Sequence, residues 1–143
     1  MRWLNTIWRW LLAVIVTVIT ASIVHSWTIQ QGLIALGVEI PAGLRLRTAI
    51  QDFIGLAPAL GVVLAIALAV GFLVAALLRP RLKVPAIIAY PLAGAVAVGV
   101  TLAIMAWQMN ITPIASAREP IGFALLSLAG GLGGLVFVVT NRR

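Results

Sequence analysis

Apolar residues fall into four long blocks, Leu4 to His25, Gly55 to Leu78, Val84 to Trp107 and Ile121 to Thr140, divided by charges and turn-formers. A run of about 20 apolar residues is the length that crosses a bilayer as a helix. Four such runs predict an all-α integral membrane protein: one four-helix transmembrane domain over residues 1–143, with spans near 4–25, 55–78, 84–107 and 121–140. The second and third runs, at about 24 residues and roughly 36 Å, exceed a hydrocarbon core of about 30 Å and imply tilt or kinking. Pro91 predicts a kink near the start of the third.

The connection from Ser26 to Ile54 breaks this regularity. It is too long for a tight turn and too apolar for a free loop, holding Ile29, Leu33, Ile34, Leu36, Val38 and Ile40 ahead of Pro41. In its second half Leu46, Ile50 and Phe53 recur at i, i+4 and i+7 while Arg45, Thr48 and Asp52 mark the opposite side. That spacing predicts an amphipathic helix over 43–54 lying on the outer surface, with Leu46, Ile50 and Phe53 buried and Arg45, Thr48 and Asp52 facing water or a partner. Thr28 to Val38, weakened as a helix by Gly32 and Gly37, reads as a short interfacial or re-entrant helical segment that must pack on the bundle or on a partner.

Composition agrees with the membrane reading and narrows it. Of 143 residues, 63% are hydrophobic and 9% charged, with mean hydropathy +1.17, against about 45–50% and 25% in soluble domains. That length excludes a large catalytic or nucleotide-binding domain beside four spans. With no cysteine, disulfides, thiolate metal sites, iron–sulfur clusters and c-type haem attachment are excluded.

Charge sets the expected orientation. Seven basic residues and no acid share one side: Arg2 and Arg9, then Arg79, Arg81 and Lys83, then Arg142 and Arg143. Arg45, Arg47 and Arg118 share the other with all three acids, Glu39, Asp52 and Glu119. The positive-inside bias therefore places both termini in the cytoplasm. It uses the whole formal charge of +7, so no basic patch is left for nucleic acid. Arg2 and Arg9 ahead of an apolar run, with small residues at Thr20, Ala21 and Ser22, also have the look of a secretory signal. An uncleaved first span is expected, because it keeps the number of crossings even. Trp3, Trp8 and Trp10 inside, with Trp27 and Trp107 outside, read as aromatic belts.

Candidate chemistry is confined to the outer side. Arg45, Arg47 and Arg118 have the chemistry to grip an anionic head group, tuned by Glu39, Asp52 and Glu119. The same six balance one another, so closure of the bundle by ion pairs and caps is the plainer reading. Ser116-Ala117-Arg118-Glu119 has capping-box spacing; alternatively Glu119 is itself the cap, with Pro120 at the first helical position. Asn110-Ile111-Thr112 matches the glycosylation tripeptide. His25, the only histidine, is expected to bond a neighbouring loop; one histidine supplies neither both axial haem ligands nor a metal site, and no cofactor is expected. No ionisable residue lies near the middle of a span, which counts against proton relays and ion pumps, and no Gly-x-Ser-x-Gly elbow supports serine hydrolysis.

Small residues dominate the spans instead. Gly130, Gly131, Gly133 and Gly134 lie in the fourth, Ala89, Ala93 and Ala97 in the third, and Ala67, Gly71 and Ala75 in the second. Such ridges let backbones approach closely, within the bundle or against another chain; local unwinding to admit a lipid or quinone is a third use of the glycines. The expected function is thus non-enzymatic, exercised by association as an accessory subunit, assembly factor or homo-oligomer of a bacterial inner (plasma) membrane, in contact with membrane lipid and a larger complex. The alternative is binding or transport of a lipid or other amphipathic ligand by the outer Arg and Gln cluster. Orientation is checked with an impermeant thiol reagent on intact cells. A cysteine at position 82 should stay unlabelled and one in the outer connections should react; the reverse pattern inverts the topology.

Overall fold

The structure, a computed structural model, describes residues 1–109 and 115–142, all in helices or short connections. In chain order these are α1 (Arg2–Ala35), α2 (Ala42–Leu82), α3 (Ala86–Met109), a 3₁₀ turn (Ala115–Arg118), α4 (Pro120–Val139) and a final 3₁₀ turn (Thr140–Arg142). Four of these helices are long and apolar enough to cross a membrane, as expected of an integral membrane protein. The Asn110-Ile111-Thr112 tripeptide lies outside the described residues.

The helices pack in the cyclic order α1, α2, α3, α4, with α4 closing on α1. Neighbours run antiparallel, since Gly94 meets Gly130 while Gly99 meets Phe123 and Ser127. Both termini and the α2–α3 turn therefore share one end of the bundle, the terminal end; the α1–α2 and α3–α4 connections share the other, the hairpin end. Arg9 donates a hydrogen bond to the Asn141 side-chain oxygen, tying the start of α1 to the last 3₁₀ turn. The core is lined by Leu60, Leu64, Leu68 and Phe72 of α2, Val98 and Leu102 of α3, Leu126 and Ala129 of α4, and Ala13, Val18 and Ala21 of α1.

Residues 26–54 differ from the sequence expectation. Residues 26–35 continue α1, and residues 42–54 are the opening turns of α2, which runs unbroken through Pro58. Gly32 sits inside α1 without breaking it; Gly37 is what ends it. At φ +82 Gly37 occupies the left-handed region that suits glycine. Its N–H donates to the Ile34 carbonyl and that of Val38 to the Leu33 carbonyl, the paired bonds of a Schellman cap.

The face of 43–54 is also largely reversed, although Arg45 is exposed as expected. Leu46, Ile50 and Phe53 point outward at 65%, 52% and 39% exposure, while Thr48 and Asp52 are partly covered. The reason is continuity. Asp52 lies on the i, i+4 ridge that continues as Leu60, Leu64, Leu68 and Phe72, and this ridge faces α1, which offers Ser26 and Gln30 at that level. Polar groups therefore meet across the helix pair and apolar ones are left on its outer face.

Close backbone approach joins α4 to its neighbours. A methyl group at Gly94 would fall on the Gly130 carbonyl, and one at Gly134 on the Tyr90 carbonyl, so α3 and α4 touch through main chain. At Gly133 the obstacle is Thr17 of α1, with the Ala13 carbonyl 3.0 Å from the added carbon. The glycines are spent inside the bundle, and α4 is helical throughout them rather than unwound. Gly131 differs, because a methyl there would meet only ordinary contacts at 3.4 and 3.6 Å. Gly134→Ala should therefore cost about 1–3 kcal/mol by overpacking, whereas Gly131→Ala should change stability by less than about 0.5 kcal/mol. Unfolding in mild detergent measures both; equal effects would remove the backbone contact as the basis of the α3–α4 interface.

Candidate functional site

The hairpin end gathers most of the buried polar side chains. Burial along α1 recurs at Ala21, Ser22, His25 and Ser26, which places three polar residues on its inward face. His25 Nδ1 lies 2.9 Å from Ser116 Oγ, and both residues are buried. The imidazole tautomer decides which of the two donates. This bond crosses from α1 to the 3₁₀ turn that leads into α4. The turn is held equally tightly from behind, since a methyl at Gly122 would fall on the Ser116 carbonyl.

At the next residue of α1, the Ser26 hydroxyl donates to Asp52 Oδ2 at 3.2 Å, joining α1 to α2. Gln30 then donates from Nε2 to the Arg45 carbonyl at 3.2 Å. Arg45 turns back on its own connection and donates from Nε to the Ile40 carbonyl at 3.1 Å. These three bonds fasten the extended α1–α2 hairpin. Ser22 Oγ, though buried, has no hydrogen-bond partner.

The outer residues singled out by sequence are thus only partly brought together. His25 and Asp52 share the buried cluster, joined through serines rather than to arginine. Glu39 and Arg45 line a shallow pocket of about 530 Å³ at the hairpin tip without pairing as ions. Among the described residues neither Arg45 nor Arg47 forms an ion pair with Glu39, Asp52 or Glu119, so balanced charge does not translate into paired charge. Glu119 is the N-cap of α4 by its extended backbone, with Pro120 at the first helical position and no side-chain cap bond. The capping box does not form, because Ser116 lies within the 3₁₀ turn and Glu119, not Ser116, is the N-cap of α4. Arg118 ends the 3₁₀ turn.

Sequence reasoning missed Ser22, Ser26 and Ser116. Ser22 and Ser26 share the helical face of His25 by their spacing, and that was the available signal; Ser116 is 91 positions from His25 and gave none. Chemically the cluster is a closed latch. Ser116 at 1% exposure admits no substrate to a hydroxyl beside an imidazole. Among the described residues no three His, Cys, Asp or Glu side chains lie together as a metal site.

The chain matches no protein-family model, no curated protein and no solved structure. What can be said of its site therefore comes from geometry. Ser116→Ala should destabilise by about 1–3 kcal/mol by leaving the buried His25 nitrogen unpaired, while Ser22→Ala, which removes a hydroxyl without a partner, should be neutral or slightly stabilising. Unfolding of the two variants in detergent separates them, and a neutral Ser116→Ala would show that the latch does not hold the hairpin end.

Proposed function

We propose that this chain is a non-enzymatic integral membrane protein that works by association with another membrane protein, using the α1–α2 hairpin as its contact surface. In this reading both termini are cytoplasmic in a bacterial inner (plasma) membrane, and the hairpin end faces outward. The charge asymmetry supports that orientation, because the terminal end carries cations and no Asp or Glu.

The observation that carries the proposal is helix length combined with the outward apolar face. At 1.5 Å per residue α1 spans about 51 Å and α2 about 62 Å, against about 40–45 Å for a bilayer with its head groups. The excess lies in the hairpin, where Leu44, Leu46, Ile50 and Ile54 face outward. Apolar side chains held beyond the hydrocarbon region are costly in water and gain by meeting a partner. The glycine ridges, by contrast, lend association no support, since they are filled within the bundle.

The test is a photo-crosslinking residue placed at position 46 or 50, with position 66 on the lipid-facing side of α2 as control. A discrete protein adduct at 46 and 50, absent at 66 and lost when the neighbouring Leu44 and Ile54 are both replaced by Glu, is expected. An adduct of twice the chain mass would make a second copy the partner. Lipid adducts alone, or identical products at all three positions, would overturn the proposal.

A further inference from the structure

The terminal end holds two features that membrane orientation alone does not explain. A pocket of about 620 Å³ opens at the α2–α3 turn, with Arg79 and Lys83 on its wall and Ala76 and Tyr90 at its base. Ala76 and Tyr90 also line an apolar groove of about 450 Å³ between α1 and α2, bounded by Trp3, Ile7, Phe72 and Leu73. The floor is rigid. Phe72, Tyr90 and Phe137 from three helices pack with ring centroids 4.7–5.7 Å apart. A pocket lined by two cations and a groove lined by apolar side chains thus share Ala76 and Tyr90 as a common wall.

The backbone at Lys83 is the second, independent observation. Lys83 closes α2 at φ 53, ψ 29, and among the described residues it is the only one other than glycine with positive φ. Glycine is the residue of least cost in that position of a helix end. A lysine held there carries local strain, and such strain concentrates where a side chain is needed at a fixed place. Among the described residues no Asp or Glu side chain lies at this end to neutralise it.

We propose that this pocket and groove form a binding site for an anionic phospholipid, with the phosphate between Arg79 and Lys83 and one acyl chain along the α1–α2 groove. The site is at the opposite end from the hairpin and stands or falls separately from association. Arg79 supplies a planar donor fork for phosphate oxygens and Lys83 a compact charge on a flexible stem. Tyr90 and Trp3 flank the passage from head group to chain, the level at which amphipathic aromatic rings settle. A zwitterionic phospholipid offers the same chains but brings its own cation to a pocket that already has two. The anionic lipid is therefore favoured.

Native mass spectrometry of the full chain in mild detergent tests this, with phosphatidylglycerol or phosphatidylcholine of identical chains added. Phosphatidylglycerol should be retained preferentially. Arg79→Gln and Lys83→Gly should each weaken its retention about fivefold, the effect of one favourable charge near a membrane surface. Lys83→Gly should do so while unfolding no more easily than the parent, since glycine relieves the left-handed backbone. Arg81 is the control: it lines a different groove on α2, with Val74, Leu77 and Leu78, so Arg81→Gln removes the same charge outside the pocket and should change retention less than twofold. Soluble glycerol phosphate at the same concentration should not displace the lipid. Equal retention of the two lipids, an Arg81→Gln loss as large as that of Arg79→Gln, or displacement by glycerol phosphate would each overturn the site.

Discussion

The bundle depends on main-chain contact between α4 and its two neighbours. In hydrocarbon there is no hydrophobic force pulling helices together, so association rests on dispersion and on how closely backbones approach. Gly94 against Gly130, and Gly134 against the Tyr90 carbonyl, bring α3 and α4 to that limit, and Gly133 does the same for α4 against Thr17 of α1. The cost of placing a polar hydroxyl at such a contact is met within α1, where Thr17 donates to the Ala13 carbonyl at 2.8 Å. α2 meets α3 closely at Gly71, where a methyl would fall on Ala97, but otherwise contributes side chains to the core through Leu60, Leu64, Leu68 and Phe72. Between α1 and α2 the contact at Gly61 is an ordinary one with the Val18 side chain, and the groove at the terminal end opens between these two helices.

The two ends of the bundle are chemically unlike. At the hairpin end the buried polar side chains mostly find partners, His25 with Ser116 and Ser26 with Asp52, and nearer the surface Gln30 meets the Arg45 carbonyl. These bonds join three segments distant in sequence and leave apolar residues on the outside. At the terminal end, among the described residues, Arg79, Arg81 and Lys83 have no Asp or Glu to meet, whereas Arg9 is tied to Asn141. A closed, satisfied end suits a surface that presents shape to a partner. An unsatisfied cationic end adjoining an apolar slot suits a ligand that brings both negative charge and hydrocarbon.

How much was legible follows from what kind of information a span carries. Four apolar runs were enough to predict four helices, because only a helix or a closed barrel satisfies its own backbone in lipid and the runs have helical length. Pro120 after Glu119 was likewise readable, since proline at the first helical turn loses no bond the helix would make. The single histidine was expected to bond a neighbouring connection and does, although its partner, Ser116, had been read as a cap. The expected ion pairs of Arg45 and Arg47 did not form: Arg45 turns its Nε to the Ile40 carbonyl, and Asp52 accepts from the Ser26 hydroxyl instead.

By itself, then, the sequence determined the helical class, the number of spans and the asymmetry of charge, all of which depend on composition along one dimension. Only tertiary structure decided that residues 26–35 and 42–54 prolong α1 and α2, and that Thr48 and Asp52 turn inward while Leu46 and Ile50 turn out. Amphipathic spacing identifies two faces but not which is covered, because the covered face depends on what the neighbouring helix offers. Here α1 offered Ser26 and Gln30. The same holds for the glycines of α4. Their spacing announced a close contact, but only the fold shows that α1, α3 and the 3₁₀ turn before α4 fill it, because a ridge without side chains records the nearness of a partner and not its identity.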